Sequence, residues 1–117
     1  MPISTHFKRR EFACKCGCGS DTVDHELITV LERVRAHYGK PMIITSGQRC
    51  ATHNKNVGGA SKSSHLTGKA ADFYVKGIDL ATVHRQLLDW YPDRYGIAVG
   101  GSFVHVDVRS SPSRWTY

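Results

Sequence analysis

The segment Ser63-Ser-His65-Leu-Thr-Gly68-Lys-Ala70-Ala-Asp72 sets an imidazole and a carboxylate seven residues apart, with a glycine and small residues between them. A second His–acid pair, His105-Val-Asp107, follows in the strand-like run Ser102-Phe-Val-His105-Val-Asp107-Val-Arg109. Two histidines and a carboxylate can form a three-ligand zinc site with a fourth position open to water, the arrangement that metal-assisted hydrolysis requires. Side chains alternate along a strand. His105 and Asp107 therefore share a face with Phe103, while Val104, Val106 and Val108 point the other way, into the core. Asp72 interrupts another apolar run, and a buried carboxylate is costly unless paired or coordinated. Taken singly, each residue reads equally as a hydrogen-bonded group on a solvated sheet face. Together, on neighbouring strands, they read as a ligand cluster.

The elements that must position this cluster follow from periodicity and capping residues. Leu27, Val30, Leu31 and Val34 recur at i, i+3, i+4 and i+7, which predicts an amphipathic helix through residues 26–37 with Asp24 as its N-cap. Gly39 and then Pro41 stop it. Residues 42–46 read as a short buried strand, and 70–75 as another. Between them, residues 47–64 form a polar, glycine-containing loop, long for so small a domain and therefore functional or disordered. Asp79 can cap a second helix over 80–90. After a turn at Tyr91-Pro-Asp-Arg-Tyr-Gly96, residues 97–99 and 103–108 form a hairpin around Gly100-Gly101, a pair suited to a primed turn. Residues 1–20 and 109–117 read as irregular. The expected fold is α+β, a single domain over 1–117 with a small, mostly antiparallel sheet and two main helices.

A chain of 117 residues bounds the answer to one domain with one modest core. No window approaches the ~20 apolar residues of a membrane span, so membrane insertion is not expected. The first ten residues carry no apolar core and do not read as a secretory signal. The expectation is synthesis in the cytoplasm and release by other means if the site of action is outside. The net charge is +6, from 16 Lys and Arg against 10 Asp and Glu. It favours an anionic partner: nucleic acid, a membrane surface, or a bacterial wall bearing carboxylates and phosphates. Lys8-Arg9-Arg10 is the only tight basic cluster, and no basic stripe interleaved with aromatics supports nucleic acid as the partner. Cys14, Cys16 and Cys18 lie too close together to pair with one another without strain. A bridge from one of them to Cys50, a structural metal site using several thiolates, and free thiols all stay open.

The wider pattern is specific. Ser63-x-His65-x-x-Gly68-x-Ala70-x-Asp72 followed by a strand histidine resembles the zinc D-alanyl-D-alanine carboxypeptidase and endopeptidase family, which shares its fold with the hedgehog signalling domain. The match extends through Ile43-Ile-Thr-Ser-Gly-Gln-Arg49-Cys50, His53-Asn54, Val57-Gly58-Gly59-Ala60, Phe103-Val-His105-Val-Asp107 and a late Arg114-Trp115. It covers most of residues 10–115 and resembles the small bacterial and phage members. The resemblance implies that one zinc ion is bound by His65, Asp72 and His105. It implies that Arg49 pairs with a substrate carboxylate or carbonyl, for which a planar guanidinium fork is suited. Ser63 matches a serine beside the metal that hydrogen-bonds substrate, or it only shapes the loop. Gly58, Gly59 and Gly68 let the backbone turn and approach substrate closely.

One position departs from the family pattern. Many members carry an acid three residues before the last histidine, and here that residue is Ser102; others carry a second histidine where this chain has Phe103. Asp107 is then the nearby acid for the general-base role. The competing reading is that Asp107 only orients His105 or an arginine, and His53 is a further base candidate from the loop. The expected function is zinc-dependent hydrolysis of peptide bonds in peptidoglycan stem peptides or cross-links by a monomer, of D,D-carboxypeptidase or endopeptidase type. Size and the missing signal fit a phage or prophage endolysin, and a domain excised from a longer secreted enzyme fits equally. A non-catalytic, zinc-containing wall-binding module is the alternative from another class.

Overall fold

In the computed structural model, which describes residues 6, 7, 12, 24–47 and 69–116, helix α1 spans His25–Tyr38. The Asp24 carboxylate accepts the Glu26 N–H at 2.8 Å and closes the first turn. Gly39 ends the helix in the left-handed region at φ 63°, its N–H donating to the Arg35 carbonyl. Leu27, Val30, Leu31 and Val34 form the buried stripe, joined by Ile28. Helix α2 spans Leu80–Trp90 and buries Val83 and Leu87. Asp79 stands at its N-cap position without a side-chain capping bond.

Among the described residues five strands form one sheet: β1 Met42–Ser46, β2 Ala70–Val75, β3 Gly96–Val99, β4 Val104–Asp107 and β5 Ser113–Thr116. Their order is β1-β2-β4-β3-β5. The pairings β1–β2, β2–β4 and β3–β4 are antiparallel, and β3–β5 is parallel. The architecture is therefore the expected α+β fold with a mostly antiparallel sheet.

Two expectations need correction. The segment 109–117 is not wholly irregular, because it holds β5. Its alternation covers only four residues, with Ser113 and Trp115 half-buried and Arg114 and Thr116 exposed, too short a period to stand out in the sequence. Tertiary bonds fix it instead: Arg114 donates to the carbonyls of Tyr91, Tyr95 and Arg94 at 2.7, 2.6 and 3.3 Å. The β3–β4 hairpin does form, but not on a primed turn. Neither Gly100 nor Gly101 has a left-handed φ, which such turns require. A Cβ at Gly100 would lie 2.8 Å from the Phe103 ring, so glycine lets that ring pack against the turn.

The core lies on one face of the sheet. Ala71, Phe73, Val75, Ile97, Val104 and Val106 are buried there in one cluster with the α1 stripe, Val83 and Leu87. Phe7 and Phe12 complete it, their rings 5.9 Å apart. Gly47 admits the chain at Phe12, because a Cβ at Gly47 would stand 2.5 Å from the Phe12 Cα.

Candidate metal centre

The two-residue period that sends Phe73, Val104 and Val106 into the core sends Asp72, His105 and Asp107 to the opposite face. Register then decides which of them meet. Asp72 on β2 lies directly across from His105 on β4, and Ala98 on β3 lies across from His105 on the other side. Trp115 on β5 is the partner of Ala98, so Asp72, His105, Ala98 and Trp115 form one row across four strands. The next row holds Ala70, Asp107, Gly96 and Ser113. Small residues flank the two large polar ones: Ala98 beside His105, and Ala70 and Gly96 beside Asp107. Gly96 is essential to this arrangement, because a Cβ there would sit 2.3–2.6 Å from the Asp107 carboxylate.

His105 is engaged at both ring nitrogens. Nδ1 stands 2.8 Å from Asp72 Oδ1, and Nε2 stands 2.8 Å from Asp107 Oδ2. The three groups are buried, with Asp107 fully enclosed. Burial by itself would lower the His105 pKa, but the bonds to Asp107 and Asp72 and their charges outweigh it and raise it. Each ring nitrogen thus faces a carboxylate oxygen. A metal held at Nδ1 would need that nitrogen free of a proton, leaving Nε2–H as the donor to Asp107.

Asp107 is saturated. Oδ1 accepts from Arg109 Nε at 2.7 Å, from the Gly96 N–H at 3.2 Å and from the Arg109 N–H at 3.3 Å. Oδ2 accepts from Arg109 Nη2 at 2.8 Å as well as from His105. Burial pushes against ionisation, but the His105 and Arg109 bonds and charges prevail and hold the carboxyl well below the usual range. Asp107 is a fixed anion.

Of the residues singled out by sequence, Asp72, His105 and Asp107 are brought together. His65, Arg49, Ser63 and His53 lie outside the described residues, as do Cys14, Cys16, Cys18 and Cys50. Among the described residues no group of three or more such side chains could hold an ion; Asp72 and His105 are two of the three expected donors. Their chemistry fits a metal: a carboxylate oxygen and an imidazole nitrogen side by side, with the second imidazole nitrogen held by an acid. Sequence reasoning gave no role to Gly96 or Arg109, and none to Trp115 beyond its place in the family pattern. Arg109 was within reach, because it continues the His105, Asp107 alternation by one more step. Trp115 entered only as part of the family resemblance, with Arg114; its place beside His105 and Arg109 follows from β5.

Comparison with known proteins gives the same reading. The chain is 31% identical over 100 residues to the peptidoglycan L,D-endopeptidase MepK of Escherichia coli strain K12, a match covering 80% of this chain and 54% of the relative. The same values hold for the proteins of that name in Escherichia coli O157:H7 and Shigella flexneri. The chain spans about half the length of these curated relatives. A family model described as peptidase M15 matches residues 5–107, a span that contains His65, Asp72, His105 and Asp107. The chain belongs to peptidase family M15.

Proposed function

We propose that this chain is a zinc-dependent peptidase acting on peptide bonds of peptidoglycan stem peptides or cross-links, with one zinc ion held by His65, Asp72 and His105. One observation carries the proposal. The Asp72 carboxylate and His105 Nδ1 meet at 2.8 Å on a buried sheet face, in a chain whose family is generally zinc-dependent. Zinc in such a site supplies a Lewis acid and a bound water of lowered pKa.

The protein's own residues do the rest. His105 presents Nδ1 to the ion because Asp107 fixes its Nε2–H. The bonding of Asp107 supports its role as orienting group over that of base: both oxygens are taken by strong donors, and a carboxylate so stabilised is a poor proton acceptor. His53 is then the remaining sequence candidate for the proton-accepting role. Arg49 clamps a substrate carboxylate or carbonyl, and Ser63 donates to substrate beside the ion. The relatives' name adds the L,D bond to the D,D bonds implied by the motif. The wall is the site of action.

The test is mass spectrometry of purified peptidoglycan fragments incubated with zinc-loaded protein, with chelated, His65→Ala and His105→Ala controls. New stem-peptide products that vanish in all three controls are expected, and their masses identify the bond. Intact fragments with protein that demonstrably binds zinc would overturn the reading in favour of a non-catalytic wall-binding module.

A further inference from the structure

We infer that the C-terminal strand β5 belongs to the positioning machinery of the metal centre: Trp115 and Arg109 hold the Asp107 carboxylate against His105 Nε2, and so aim Nδ1 at the ion. The role of Nδ1 rests on the function proposed above. The hold on Nε2 rests on geometry alone.

The contacts close a ring. His105 Nε2 meets Asp107 Oδ2. The two oxygens of Asp107 accept a planar fork from Arg109, at 2.7 Å from Nε and 2.8 Å from Nη2. The Arg109 guanidinium carbon lies 5.1 Å from the centre of the Trp115 ring, within cation–π range. The Trp115 ring lies in turn 5.0 Å from the His105 ring, tilted by 52°. Each member restricts the next.

Trp115 is the member whose removal loosens the others. The Arg109 side chain is 41% exposed, and a long cation at the surface holds one rotamer only when its surroundings restrict it. An aromatic plane against the guanidinium supplies that restriction without competing for its donors. Trp115 is itself fixed by backbone pairing, as the partner of Ala98 in the β3–β5 ladder. Arg114 locks the ladder by bonding to three carbonyls at the end of α2 and the start of β3. The family model ends at residue 107, so Arg109 and Trp115 lie past the segment it matches.

The experiment uses the full chain and two readouts that need no hydrolysis. One is hydrogen exchange of the His105 Nε2–H, followed by nitrogen-15 NMR of the metal-free protein. The other is zinc affinity by competition with a chromophoric chelator. Wild type is expected to show a slowly exchanging Nε2–H. Trp115→Ala and Arg109→Ala should lose that protection and bind zinc about 10–100-fold more weakly, the range seen when a ligand's hydrogen-bond partner is removed. Trp115→Phe, which keeps an aromatic plane, should restore most of both. Melting curves identify folded variants. If either alanine variant fails to fold, Arg109→Lys takes its place, since it keeps the charge and loses the fork. Folded variants with wild-type Nε2–H protection and wild-type zinc affinity would overturn the inference. Wild type that binds zinc and protects Nε2–H without cutting peptidoglycan supports the inference and overturns only the proposed function.

Discussion

At position 96 the difference between a hydrogen atom and a methyl group decides where a carboxylate can stand. Gly96 is directly across from Asp107 and donates its N–H to Oδ1. It has no left-handed φ, so the requirement for glycine here is one of space. An added methyl would overlap the Asp107 carboxylate at 2.3–2.6 Å, and the tight packing of the interior leaves no slack for it. Gly96→Ala is expected to cost about 1–3 kcal/mol in urea unfolding, as overpacking does. It should also weaken zinc binding, because Asp107 must move and His105 with it. A variant of unchanged stability and unchanged affinity would show that the carboxylate has another place to go.

Between elements, Tyr95 is the clearest tie. It enters β3 with φ 71°, rare for a side chain of its size, and its N–H and carbonyl bridge to Arg109 and Ser113 on the flanking segments. Its hydroxyl donates to Glu26 Oε2 at 2.6 Å, joining the start of β3 to the first turn of α1. Burial, then the bond to Glu26 and its charge, push the Tyr95 pKa up to about 12. A raised pKa means that the folded state favours the neutral phenol. The contribution is therefore fully present below the ordinary tyrosine value of about 10 and is lost as pH rises toward 12. Tyr95→Phe is expected to be about 1 kcal/mol less stable than wild type at neutral pH, with the gap closing between pH 10 and 12. A gap that stays constant through that range in denaturant titrations would show that the hydroxyl contributes nothing through its proton.

For the molecule as a whole, the sheet separates two tasks. One face packs Phe73, Val104, Val106 and Ile97 into a cluster with both helices, and the other carries Asp72, His105 and Asp107. Stability and chemistry can then be perturbed one at a time. Leu31→Ala, in the buried stripe of α1, should cost about 2–5 kcal/mol by denaturant unfolding. Under native conditions it should leave zinc affinity close to wild type, because Leu31 lies among the packed residues of the helix face. An affinity that falls in step with stability would mean that the two faces are coupled. Among the described residues no helix is long and apolar enough to cross a membrane.

Local chemistry made most of the elements legible without coordinates. Asp24, the 27/30/31/34 stripe and Gly39 define α1, and apolar runs define β1, β2 and β4, because capping and periodicity act within a few residues. The pairing of His105 and Asp107 on one face follows from alternation alone. The residue types and spacing of the His–Asp motif carried the family, and with it the expected metal ligands. Tertiary structure alone decided the remainder. Register sets Asp72 opposite His105 and Gly96 opposite Asp107; no local rule fixes the first, across the long connection from β2 to β4, and the second follows from a hairpin turn other than the primed one expected. The same holds for β5, a short strand held by Arg114 bonds to distant carbonyls. It holds too for the donors from Arg109 and Gly96, which surround the Asp107 carboxylate only after the sheet is assembled.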